Sequence, residues 1–209
     1  MSILQRIRQI FNPDPKEQVL GYSPSELQLL FQNSTVSVNP NFLGKSPKII
    51  PLDTIGINVF YASQLIDKRE IELFLKRVDS YFVLETKRMF NGVDVVQYKG
   101  RKENERLCYL ISEEFENLVI KLVTDSTQFL NILYECDFTV PPPWIVFKDY
   151  NPKWWGGGSM QGAQGYYDDN FFYPYFMNLD REKKENYYIK YDASQAWKKQ
   201  LELFYDIQD

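Results

Sequence analysis

The sequence predicts an α+β fold: an antiparallel sheet centred on a three-stranded meander at about residues 81–111, helices packed mainly on one face, and an aromatic-rich irregular lobe towards the C-terminus. Three observations carry this. Residues 81–90 and 93–98 are rich in aromatic and β-branched side chains and flank Asn91-Gly92, the dipeptide that best takes the two positive φ angles of a tight hairpin turn. Segments on both sides of this hairpin switch to helical apolar spacing. From Trp144 to Phe176, twelve aromatics, three of the four Trp and five of the ten Gly fall within 33 residues.

In chain order, Ile3, Leu4, Ile7, Ile10 and Phe11 share one helical face and Pro13 and Pro15 end it, giving an N-terminal helix or arm over 1–15. A second helix starts at Ser23-Pro24-Ser25-Glu26, where Ser23 can cap, Pro24 fits the first turn and Glu26 completes a capping box. Thr35 to Pro51 is punctuated by Pro and reads as loop with one short edge strand; Ile55 to Tyr61 reads as a buried strand. Asp67 to Glu70 has the form of another capping box, followed by Ile71, Phe74, Leu75 and Val78 at helical spacing. After the hairpin, Lys99 to Glu105 is a polar turn and Arg106 to Ile111 a third strand.

Ser112-Glu113-Glu114 is expected to open a helix carrying Phe115, Leu118, Val119, Leu122 and Val123 on one side. Asp125 to Gln128 caps a further helix with Phe129, Leu130, Ile132, Leu133 and Cys136. Val140-Pro141-Pro142-Pro143 can be neither helix interior nor central strand, so the chain leaves extended, and Trp144 to Phe147 reads as an edge strand. Two helices close the chain, Asp180 to Tyr191 and one capped within 192–195 that carries Trp197, Leu201 and Phe204. The expected organisation is one domain over 1–209, with the arm at 1–15 and the aromatic lobe with its closing helices at 140–209.

Composition narrows the chemistry. A net charge of −4 argues against a general affinity for nucleic acid, whose phosphates require clustered cations. No run approaches the roughly 20 apolar residues of a membrane span, and the start lacks the apolar core of a signal peptide, so a cytoplasmic protein with no membrane partner is expected. There is no histidine. That removes the commonest general base and metal ligand, and with it Ser-His and Cys-His nucleophiles and His-bearing zinc motifs. Cys108 and Cys136 sit in apolar patterns and read as buried thiols. Gly44-Lys45-Ser46 resembles the end of a phosphate loop, but position 39 is Asn and Pro47 blocks the helix that must follow. No metal and no cofactor are expected.

What remains is the aromatic segment. Trp154, Trp155, Tyr166, Tyr167, Asp168 and Asp169 are the candidate partner-binding residues: Trp and Tyr give rigid contact area, and a carboxylate can meet a basic site. The same aromatics can instead plug a loop-rich region onto the sheet, with Tyr hydroxyls satisfying its backbone, and Asp168-Asp169-Asn170 can be a solvated turn. The leading expectation is a non-catalytic interaction protein of the kind that neutralises a toxin domain, as immunity proteins do. The alternative is a small-molecule or glycan-binding domain, with carboxylate-based catalysis as a variant. A structural or assembly role comes third. A contiguous exposed aromatic patch favours the first, and a deep pocket lined by these groups favours the second.

Overall fold

The computed structural model describes residues 18–36, 46–102, 104–156 and 160–205. The expected helix at 2–11 lies outside the described residues, as do Gly44, Lys45, Gly157 and Gly158.

The first helix, α1 (Pro24–Leu30), begins as its sequence requires. Ser23 Oγ accepts from the Glu26 amide at 3.2 Å and the Glu26 carboxylate accepts from the Ser23 amide at 2.7 Å, a reciprocal capping box. Edge strand β1 (Lys48–Pro51) follows, then β2 (Phe60–Ile66). The strand expected at Ile55 to Tyr61 therefore starts five residues late. Asp53–Ile55 is a 3₁₀ turn that ends at Gly56 with φ 74°, and the chain can extend only after it.

Helix α2 (Ile71–Tyr81) is preceded by a 3₁₀ turn, Lys68–Glu70. Asp67 caps this turn by accepting from the Arg69 amide at 2.9 Å, but Glu70 does not close the expected box. Its carboxylate instead accepts from the amide and hydroxyl of Thr139 at 2.7 and 2.9 Å, which ties the helix start to the chain's exit from the sheet region.

Strands β3 (Phe82–Phe90) and β4 (Val93–Gly100) form the expected hairpin, with Asn91 at φ 50° and Gly92 at φ 78°. β5 (Arg106–Glu114) returns, and β6 (Asn117–Thr124) takes the place of the expected helix at 115–123. Two residues with positive φ, Phe115 at 56° and Glu116 at 55°, turn the chain back at once. The run Leu118-Val119-Ile120-Lys121-Leu122-Val123 is then buried on both faces of the sheet, and a strand covered on both sides reads as continuous apolar sequence rather than alternation. Its β-branched Val119, Ile120 and Val123 suit that conformation.

Helix α3 (Thr127–Glu135) starts at Ser126, whose Oγ accepts from the Phe129 amide at 3.1 Å. Cys108 is buried, whereas Cys136, at the end of α3, is only partly so. The edge strand expected at Trp144 to Phe147 is instead one helical turn, α4 (Pro143–Val146), in which Pro143 supplies the preset φ of a first helical residue.

Residues 163–176 form one continuous helical run: α5 (Ala163–Tyr167), a π-helical stretch (Asp168–Phe172) and α6 (Tyr173–Phe176). Asp168-Asp169-Asn170 is thus inside a helix rather than a turn. Aromatic pairs explain the widening: Tyr167 to Phe172 is a step of five, which an i to i+5 turn aligns, and Phe172 to Phe176 a step of four. The rings stack in sequence at 5.8 and 5.2 Å. Helices α7 (Arg181–Lys190), capped by Asp180, and α8 (Gln195–Tyr205) close the described chain as expected. Among the described residues, no helix is long and apolar enough to cross a membrane.

All six strands pair antiparallel in the order β1-β2-β6-β5-β4-β3. The sheet's first face carries Ala62, Leu122, Tyr109 and Val96 in one register row and is covered by α2 and α3 through Phe74, Val78, Phe129 and Leu133. The second face is covered in two pieces. At one end Val59, Val123 and Cys108 meet Val19, Tyr22, Leu27 and Phe31 of the N-terminal layer. At the other, Leu65 and Val119 meet the aromatic lobe.

Candidate functional site

Between the two covers the second face opens into a cavity of about 450 Å³. Its floor follows from register. Lys48 of β1 lies beside Ser63 of β2, Ser63 beside Lys121 of β6, and Lys121 beside Leu110 of β5, so four strands place these residues in one row on one face. Ile50 and Tyr61 pair in the neighbouring row. Ser112 and Glu114 continue the floor along β5.

One wall is the N-terminal layer, where Val19, Leu20, Gly21 and Tyr22 make a two-residue hairpin. Leu20 and Gly21 have φ 52° and 75°, and Val19 and Tyr22 exchange backbone hydrogen bonds of 2.9 and 3.0 Å. The hairpin is clamped to the end of β3. A Cβ on Gly21 would come within 2.6 Å of the Phe90 ring, and Arg88 lies 4.3 Å over the Tyr22 ring while donating to the Gly21 carbonyl. The opposite wall is the helical run of the lobe, through Tyr166, Asp169, Asn170 and Phe171.

The charges in the floor are unequal. Lys121 Nζ is 3.0 Å from Glu114 Oε1, which also accepts from Ser112 Oγ at 3.4 Å, so that cation is already matched. Lys48 has no ion pair or hydrogen bond from its ammonium among the described residues, and burial alone lowers its pKa. Burial pushes the Tyr61 phenol up to about 12, which keeps it neutral at physiological pH. A largely apolar cleft with a few placed polar groups is suited to a small molecule.

The six residues expected to bind a partner do not form one surface. Tyr166, 38% exposed, and Asp169 reach the rim of the cleft, together with Asn170. Trp154, 60% exposed, stands elsewhere, edge-on to Tyr150 at 6.3 Å. Trp155 and Tyr167 have no accessible surface, so they offer nothing to a partner in this conformation. Trp155 packs among Phe147, Tyr167, Phe172 and Trp197, and Tyr167 donates to the Pro141 carbonyl.

Asp168 belongs to the same core. Trp155 Nε1 donates to Tyr205 Oη at 2.9 Å, and Tyr205 Oη donates to Asp168 Oδ1 at 2.7 Å. Burial pushes the Asp168 carboxyl up to about 6, with Asp169 adding to the shift and the Tyr205 bond opposing it. Tyrosines also satisfy the extended Pro segment, since Tyr187 donates to the Val140 carbonyl at 2.7 Å.

The floor residues Lys48, Ser63, Ser112, Glu114 and Lys121 are absent from the sequence-based candidates. The available signal was Lys121, a charge inside an otherwise apolar run. Among the described residues, no group of three or more Cys, Asp or Glu side chains could hold a metal ion. Comparison with protein-family models, curated proteins and solved structures finds no match.

Proposed function

We propose that this chain is a non-catalytic binding protein that holds a small amphiphilic molecule in the cleft on the second face of its sheet. The observation that carries the reading is the row Lys48, Ser63 and Lys121, polar groups drawn into an apolar sheet face and left facing a cavity of about 450 Å³. Such a volume and lining match sites for small ligands. The lack of histidine supports binding over catalysis. A cytoplasmic setting is part of the reading, supported by Cys108 and Cys136 being free thiols.

The outer side of the lobe favours a second reading, contact with a protein partner. Trp154 is 60% exposed, Leu203 57% and Phe204 43%, and Phe204 lies over the backbone of Gly156, two residues from Trp154. A toxin-neutralising role would use this surface.

One titration separates the two. In amide NMR spectra, adding decanol or decanoate is expected to shift Ser63, Leu110, Ser112 and Lys121, and Ser112→Phe, which fills the floor, is expected to weaken binding by about tenfold or more. Shifts confined to Trp154, Leu203 and Phe204 would count against the cleft and for the outer surface.

A further inference from the structure

We infer that the ligand is a carboxylate with an apolar tail, seated with its anionic end at Lys48. This rests on the cleft being a small-molecule site. Neighbouring strands lie about 4.8 Å apart, so the floor sets Lys48 and Lys121 roughly 10 Å from each other with Ser63 between them. Lys121 is matched by Glu114 at 3.0 Å, whereas Lys48, the other lysine of the floor, has no anion among the described residues. A partly buried ammonium gains most from a charge-assisted hydrogen bond, because the water it gives up is poorly replaced by apolar neighbours.

The surroundings define the rest of the molecule. Ser63, paired with Lys48, and Tyr61, paired with Ile50, add two neutral hydroxyls to the floor, linked to each other by a side-chain hydrogen bond. One unmatched cation and two neutral hydroxyls suit a monoanion better than a phosphate dianion. The apolar lining residues Ile50, Val93, Leu110 and Phe171 suit a hydrocarbon tail.

The test uses the full chain and three probes of equal tail length, decanoate, decanol and decyl phosphate, titrated at pH 7 and followed by amide shifts. Decanoate is expected to bind about tenfold or more tightly than decanol, the worth of one charge-assisted hydrogen bond. Lys48→Met should abolish that preference, while Lys48→Arg should preserve it. Amide spectra of each variant report whether it folds. Equal binding of decanoate and decanol within the cleft would overturn the anion assignment and leave the cleft reading standing. So would a preference that survives Lys48→Met. Tighter binding of decyl phosphate than decanoate would overturn the monoanion. Failure of all three probes would remove the cleft as a site for these amphiphiles and the inference with it.

Discussion

Replacing Trp155 by Ala is expected to cost about 3–5 kcal/mol of stability, measured by urea unfolding, the range seen when a fully buried large aromatic is truncated. Trp155 has no accessible surface and is ringed by Phe147, Tyr150, Tyr167, Phe172 and Trp197. Two polar connections go with it. Its indole donates to Tyr205, and its carbonyl accepts from Gln200 at 2.6 Å. Loss of the indole leaves the buried Tyr205 hydroxyl without its donor, adding to the cavity term. Because Tyr167 and Phe172 lie in the same helical run as Tyr166 and Phe171, the substitution should also loosen the lobe wall of the cleft and weaken ligand binding. A loss below about 1 kcal/mol would mean that the lobe is held by other contacts.

Asp168 gives the second large effect, and it depends on pH. The unfolded chain releases this proton near the ordinary 3.8, whereas burial holds it in the folded protein to about 6. Between those values the folded state binds more protons, so stability falls as pH rises, and the loss is complete above about pH 6. For one group the fall is up to about 3 kcal/mol. Asp125, pushed up to about 6 by burial, contributes over the same interval. Asp67 acts in the opposite sense. The Arg69 guanidinium holds its carboxyl down at about 2, so its contribution is present above the ordinary 3.8 and is lost as pH falls through 2. Asp168→Asn, which keeps an oxygen for Tyr205 to donate to, should shrink the drop between pH 4 and pH 7 by up to about 3 kcal/mol and leave the Asp125 share in place. Unfolding free energies at the two pH values measure this directly. An unchanged drop would mean that Asp168 ionises freely in the folded protein.

Local signals in the sequence carried much of the fold. Asn91-Gly92, the Ser23 and Glu26 box and Asp180 each act through neighbours within four residues, and each forms as its pattern predicts. Where a residue answers to distant partners, the local pattern misleads. Glu70 has the spacing of a capping box, but Thr139, 69 positions away, takes its carboxylate. Residues 118–123 satisfy helical spacing because almost every position is apolar, and they are apolar because the strand is covered on both faces. Reading them as a helix hid Lys121 among polar-side residues, when its significance is that it faces inward from a buried strand.

The candidate site shows the same division. The aromatic segment was visible as a concentration of rings, and its core role in Trp155 and Tyr167 follows from packing that no local pattern encodes. The floor of the cleft comes from four strands spread from Lys48 to Lys121, brought into one row only by the strand order β1-β2-β6-β5. Tyr166 and Asp169 are the two predicted residues that reach it, and they do so because the π-helical widening turns Asp168 inward to Tyr205 while Asp169 stays exposed at the rim.

The claim that the cleft between the two covers is the binding site is tested most directly by intermolecular nuclear Overhauser effects between bound decanoate and the methyl groups of the full chain. Contacts are expected from the decanoate chain to Ile50, Val93 and Leu110, which line the cavity from three different strands. Contacts confined to Ile189 and Leu203, whose side chains are exposed on the outer helices, would contradict it.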